Sequence, residues 1–201
     1  MRKLIMWNMV TLDGFFEGPK PWEIDWHELV WGEELEQMSI EQTGSADLLL
    51  FGRRTYEGMA QYWSTATEQV ADIMNSISKV VFSGTLDKAD WNNTRLVKSK
   101  AEEEVARLKQ QPGQDMLIFG SADLSATLMR HSLMRLTETG HDLIVVLGEP
   151  HYYGRFGFTP RLAEKLKTPY DGPYLQALAL SDKGKAAHGS VSYARAFAEL
   201  K

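Results

Sequence analysis

Short apolar runs alternate with amphipathic, charge-flanked stretches along most of this chain, and the alternation sets the expected fold. Lys3 to Val10 is an apolar run that closes at Asp13-Gly14, the pattern of a buried strand. Asp47 to Phe51, Lys79 to Phe82, Thr94 to Val97, Met116 to Phe119 and Leu143 to Leu147 repeat that pattern. Between them lie helical stretches. Trp26 to Gln42 carries Leu29, Val30, Leu35, Met38 and Ile40 among acids, which predicts one amphipathic helix. Thr65 to Ser76, Lys100 to Gln110 and Asp123 to about Leu136 read the same way. Pro150 to Pro173 reads as loop, and Tyr174 to Leu180 with Ser190 to Tyr193 as a terminal strand pair. Strands alternating with helices predict an α/β sheet covered on both faces.

The turns that end three of these strands share one chemistry. FGRRT, FSGT and FGSAD each place Gly or Ser just past an apolar run. In an open α/β sheet ligands bind outside the carboxyl ends of the strands, so three such turns can converge on one extended ligand. Arg53, Arg54 and Thr55 open the helical turn after Gly52. There the free N–H groups and the positive dipole end favour a phosphate, and two planar guanidiniums suit a dianion. The competing reading of that segment is a solvated basic cap on a short helix. Neither G-x-G-x-x-G nor G-x-x-x-x-G-K-[ST] occurs, so the Rossmann and P-loop fingerprints are absent.

Composition narrows the function classes. The 201 residues are 43% hydrophobic and 24% charged, with a formal net charge of -5, which argues against a general nucleic-acid or anionic-membrane binder. The absence of cysteine removes disulfides, thiolate zinc sites and a Cys nucleophile. Five histidines show no paired ligand spacing, and no nucleophile elbow surrounds Ser83 or Ser121. The run MRKLIMWNMV is interrupted by Asn8 and too short for a secretory signal or membrane span, so a cytoplasmic location is expected.

Specific motifs then carry a family resemblance. The opening strand with TLDGFFEG, the FGRRTYEGM turn, VVFSGTL, TRLVKS and LIFGSADLSATL, spanning residues 1 to about 134, resemble the dihydrofolate reductase-like superfamily. The likeness is to the branch near the reductase domain of bacterial riboflavin biosynthesis. It implies an NADPH-dependent reductase of a small heterocyclic or carbonyl substrate, and a homodimer. Arg53, Arg54 and Thr55 would hold the adenosine-side phosphates, with Ser83 and Lys98 near the 2′-phosphate. Gly120, Ser121, Ala122 and Asp123 would line the pyrophosphate, and Thr11, Asp13 and Gly14 would lie near the nicotinamide and substrate. Phe119-Gly120 stands where the superfamily usually has two glycines. At the position of the proton-delivering carboxylate on the first helix the chain has His27. Asp25 and Glu28 are its candidate substitutes, and both also read as ordinary first-turn acids. Water could deliver the proton instead, the hydride being the cofactor's own chemistry.

From about residue 136 the resemblance changes. GHDLIVVLGEPHYYGRFGF resembles the C-terminal third of the GCN-five-related N-acetyltransferases, although their [QR]-x-x-G-x-[GA] acetyl-CoA loop occurs nowhere in the chain. Acetyl transfer is therefore not expected, and Tyr152, Tyr153 and Arg155 are read as structural. The chain looks like a splice inside the helix between Leu128 and Gly140. The expected architecture is one α/β domain over 1–201, a dihydrofolate reductase-like three-layer sheet. Its body is 1–135, and a 136–201 tail supplies the C-terminal strands. A reductase is the first functional expectation. The alternatives are an inactive chimeric scaffold that keeps the nucleotide crevice and an acetyltransferase fragment.

Overall fold

In the computed structural model, consecutive residues of the strand Ala46–Gly52 belong to two different cores. Leu48 and Leu50 pack with Val80, Met116 and Ile118, whereas Leu49 and Phe51 pack with Tyr56, Val81 and Trp91. A strand buried on both faces has no polar alternation, which is why this stretch reads as an unbroken apolar run. The structure describes residues 2–11, 15–20, 22–67, 69–170 and 172–192, with Gln69 described by its backbone alone.

The chain divides into two compact units, one through Met129 and one from Arg130. The first contains β1 (Leu4–Trp7), α1 (Trp26–Val30), α2 (Glu33–Gly44), β2 (Ala46–Gly52), α3 (Arg53–Trp63), α4 (Gln69–Ser76), β3 (Ser78–Phe82), β4 (Thr94–Val97), α5 (Ala101–Lys109) and β5 (Asp115–Phe119), then the start of α6 (Ala122–Glu138). The five strands form one parallel sheet in the order β1-β5-β2-β3-β4. Val105 and Leu108 of α5 with Leu124 and Leu128 of α6 cover one face. Tyr56 of α3 with Val70 and Met74 of α4 cover the other. The predicted three layers are thus present.

The expected helix over Trp26 to Gln42 is two helices. Trp31 (ψ 130°) and Gly32 (φ -167°) are extended and break the run. None of the five residues of α1 is buried, and Leu29 is 86% exposed.

The second unit has its own pairing. β6 (Leu143–Leu147) lies antiparallel to β8 (Leu175–Ala179), over a small core of Ala163, Leu175 and Ala177. Between them come α7 (Pro150–Gly154), α8 (Pro160–Ala163) and β7 (Leu166–Lys167); α9 (Asp182–Lys185) and β9 (Gly189–Ser190) follow. Two expectations are corrected here. β6 pairs instead with β8 in a separate two-stranded sheet, in register from Leu143↔Ala179 to Leu147↔Leu175. β8 does not pair with the last strand either: β9 runs parallel to β7. Tyr193, the expected end of that strand, lies outside the described residues. Tyr152 and Tyr153 sit in an edge-to-face ring cluster with Phe156 and Phe158, and burial raises both hydroxyl pKa values.

One buried cation stands out in the first unit. Lys79 of β3 is 1% exposed; its Nζ donates to Ile77 O at 2.7 Å and lies 4.5 Å from the Trp91 ring centroid. Burial without a carboxylate lowers its pKa from 10.5 to about 8. Between those values the unfolded chain holds a proton the folded one has released, so stability should rise with pH across that window. The rise is about 2–3 kcal/mol. Subtracting the urea-derived stability curve of Lys79→Met from that of the native chain should show it. A flat difference between pH 8 and 10.5 would refute the buried, unpaired ammonium.

Candidate functional site

The sheet order places the site. The chain leaves β2 toward β3 and β4, then crosses back over β2 to lay β5 on its other side. The strand order therefore switches between β2 and β5, the place where ligands lodge in open α/β sheets. Both strands run directly into helices, β2 into α3 and β5 into α6, so two helix starts lie side by side at one edge.

Two hydrogen bonds tie these starts together. The Gly52 N–H donates to Ser121 Oγ at 2.9 Å, and the Ser121 N–H donates to Thr55 Oγ1 at 3.1 Å. Gly120 and Ser121 both have φ 58°, so the chain turns from β5 into α6 through two consecutive left-handed residues. That turn is fastened to β1 as well: the Gly120 N–H donates to Trp7 O at 3.3 Å. With its amide oriented by its hydrogen bonds, Asn8 donates to both Gly120 O and Trp7 O at 3.1 Å. The first intrahelical bond of α6 is Ser125 N–H to Ser121 O. The amides of Ala122, Asp123 and Leu124 precede it and have no intrahelical acceptor. No side chain caps α3 at Gly52. Such a paired helix start suits an anionic, pyrophosphate-sized group.

The guanidiniums diverge from this point. Arg53 donates to Glu57 Oε1 at 2.9 Å and to Thr85 Oγ1 at 2.7 Å, in the turn after β3. Arg54 reaches Glu17 Oε1 at 2.8 Å, in the loop after β1. All three turns singled out in the sequence are thus brought together at one end of the sheet. The remaining candidates are placed as follows. Ser83 Oγ accepts the N–H groups of Thr85 and Leu86 at 3.2 and 2.9 Å and so closes its own turn. Lys98 is exposed just past β4. Thr11 Oγ1 accepts the Phe15 N–H at 3.0 Å and closes the loop after β1. Asp123 is exposed in the first turn of α6. Asp25 and Glu28 are exposed at the start of α1, and Asp25 makes no side-chain capping bond. Asp13 and Gly14 lie outside the described residues.

Three features here were not anticipated. Glu17 links two elements: one carboxylate oxygen takes Arg54, the other takes the Trp22 N–H at 2.8 Å. Gly58 of α3 is where the Trp22 indole rests, since a Cβ there would fall within the ring. Trp26 and His27 of α1 meet edge-on with centroids 4.2 Å apart, and burial lowers the His27 pKa, which favours the neutral ring. A cavity of about 750 Å³ opens at the opposite, amino ends of β2, β3 and β4. Its arginines are already committed: Arg2 to Asp47, and Arg95 and Arg107 to Glu104.

Fold and site geometry together define a dihydrofolate reductase-like α/β domain. Residues 2–135 match the RibD C-terminal domain, and the chain belongs to that family. It is 29% identical over 155 residues to the uncharacterized protein YyaP of Bacillus subtilis (strain 168), covering 74% of this chain and 79% of the relative. A putative riboflavin biosynthesis protein from Shewanella sp. PV-4 aligns with 19% identity and a TM-score of 0.48, over 72% of this chain and 75% of that one. The GNAT family N-acetyltransferase YhbS of Escherichia coli aligns with 30% identity and a TM-score of 0.35, over 39% of this chain and 45% of its own. Of the membrane question the structure says that no described helix is long and apolar enough to cross a bilayer.

Proposed function

We propose that the chain binds NADPH across the carboxyl ends of β5, β2 and β3 and acts as a reductase of a small, flat heterocyclic or carbonyl compound. The observation that carries this is the joined pair of helix starts at the strand-order switch. Gly120, Ser121, Ala122 and Asp123 with Thr55 would face the pyrophosphate, and Arg53, on the side of the turn after β3, the remaining phosphate. The fit rests on the left-handed Gly120–Ser121 turn and the first-turn amides of α6, which let backbone approach an anion closely. When bound, NADPH supplies the hydride. The protein's part is orientation, charge and exclusion of water.

The experiment is a pair of titrations. Replacing both Arg53 and Arg54 by Ala should weaken NADPH binding by about 10-fold or more, the value of one lost charge-assisted hydrogen bond. NADH, which lacks the 2′-phosphate, should be nearly unaffected. Equal losses for the two cofactors, or none, would sink the assignment. A second reading, binding without turnover, draws on the exposed Asp25 and Glu28, which no neighbour holds toward a reacting atom. NADPH binding with no consumption against any carbonyl or heterocycle would favour it.

A further inference from the structure

The cavity at the amino ends of β2, β3 and β4 has no part in the proposed reductase, and its charge sets it apart. Four cations line it, Arg2, Lys79, Arg95 and Arg107, against two carboxylates, Asp47 and Asp90. Two further groups act through these. Glu104 sits between Arg95 and Arg107, and Lys88 holds Asp90 at 2.7 Å. The first removes a positive charge and the second restores it, so a surplus of two remains. The chain as a whole carries a formal charge of -5. A positive cavity in an acidic protein concentrates anions at one place.

Lys79 is the uncompensated member of the set. Arg2 is answered by Asp47, and Glu104 accepts from Arg95 and from Arg107 Nε, the latter at 2.9 Å. Lys79 is 1% exposed and meets no carboxylate among the described residues. Its neighbours are the Ile77 carbonyl at 2.7 Å and the Trp91 ring, whose centroid lies 4.5 Å from Nζ. An ammonium has three N–H donors, and the carbonyl takes one. A buried charge left in that state is costly, and burial holds the Lys79 pKa down to about 8. Arg95 and Arg107 differ, with side chains 49% and 54% exposed, so their forks reach solvent without leaving Glu104.

The rest of the wall says what kind of anion fits. Leu48, Val80, Ala89, Trp91 and Leu108 supply apolar surface beside the cations. About 750 Å³ lies within the range of small-molecule sites and far exceeds the needs of a lone ion. We propose that this cavity is a second ligand site, which takes an organic phosphate monoester whose phosphate neutralises Lys79. Such a phosphate is close to a dianion at neutral pH and matches the surplus of two, as a single carboxylate does not. The site lies at the ends of β2 and β3 opposite to the proposed cofactor edge, so the two ligands do not exclude one another.

Phenyl phosphate, benzoate and phenol make the test, one ring carrying a dianion, a monoanion or no charge. Each is titrated by calorimetry into the full-length chain at low salt and neutral pH, with and without NADPH. Phenyl phosphate should bind about 10-fold more tightly than benzoate, the worth of one more charge-assisted hydrogen bond, and phenol more weakly than either. Lys79→Met should cut phenyl phosphate binding about 10-fold. Arg95→Gln, which leaves Arg107 on Glu104, should cut it about threefold, the scale of a half-exposed charge. The Trp91 indole ¹⁵N–H resonance, assigned through Trp91→Phe, should shift with phenyl phosphate, and NADPH should leave that binding unchanged. Circular dichroism checks that Lys79→Met is folded; if it is not, Arg95→Gln decides. Equal affinity for phenyl phosphate and benzoate, an affinity the deciding variant does not lower, or a stationary Trp91 resonance overturns the proposal. Displacement of phenyl phosphate by NADPH overturns it too, because it moves the phosphate to the carboxyl edge of the sheet.

Discussion

Ser121→Val should lower unfolding stability by about 3 kcal/mol and weaken NADPH binding more than tenfold. Two effects add. Ser121 sits at φ 58°, a left-handed cost the native residue already carries, and a β-branched side chain there is a genuine outlier that adds about 1 kcal/mol more. Its hydroxyl also accepts the Gly52 N–H at 2.9 Å, the bond that ties the start of α3 to that of α6. Leaving a part-buried amide without its acceptor costs a further 1–3 kcal/mol, roughly. Two companions separate the effects. Ser121→Gly relieves the backbone while losing the hydroxyl, and should stay within about 1 kcal/mol of the native chain. Ser121→Ala keeps the backbone cost and loses the hydroxyl, and should fall between. Urea denaturation orders the three. A Val variant as stable as the Gly variant would show that the turn is not left-handed at Ser121.

That turn was readable in the sequence, and the reason is local. Phe119-Gly120-Ser121 and Phe51-Gly52-Arg53 each put a small residue directly after an apolar run, and the chemistry of a strand-to-helix turn depends on just those few positions. The double-sided core was readable for the same reason, since uninterrupted Leu48 to Phe51 allows no solvent-facing side. What failed depends on distant partners. Leu143 to Leu147 is an apolar run that says strand but not beside what, and β8 rather than the main sheet takes its hydrogen bonds. Pro150 to Pro173 hid α7 and α8, each only one turn long and opened by a proline at its first position. The one-helix reading of Trp26 to Gln42 missed Gly32, whose extended φ ends the run. His27 stands where the family resemblance expects an acid. The unpartnered Nε2 beside an equally unpartnered Trp26 Nε1 depends on burial, which a lone histidine in an amphipathic stretch does not reveal.

Gly184→Ala should unfold the second unit's terminal turn, at a cost of more than about 3 kcal/mol, the range of changes that force atoms into a filled space. The glycine is required by close approach and not by its dihedral angles. A Cβ at Gly184 would fall on the carbonyl oxygen of Asp142, a backbone atom that cannot rotate away. That same oxygen accepts the Leu180 N–H at 2.8 Å, just past β8. The Asp142 carboxylate takes Ser181 Oγ at 2.6 Å and Lys183 Nζ at 2.8 Å, and the Lys183 bond is the main cause of its lowered pKa. Ser181 Oγ in turn accepts the Gly184 N–H at 3.1 Å and caps α9. Moving Asp142 to make room for a methyl group would break this whole set at once, at the residue that leads into β6. Ser181→Ala provides the comparison, because it removes the cap and the bond to the Asp142 carboxylate but leaves the backbone contact in place, and should cost about 1–2 kcal/mol. Thermal unfolding followed by circular dichroism measures both. A Gly184→Ala variant whose melting temperature matches that of Ser181→Ala would show that α9 does not pack against Asp142.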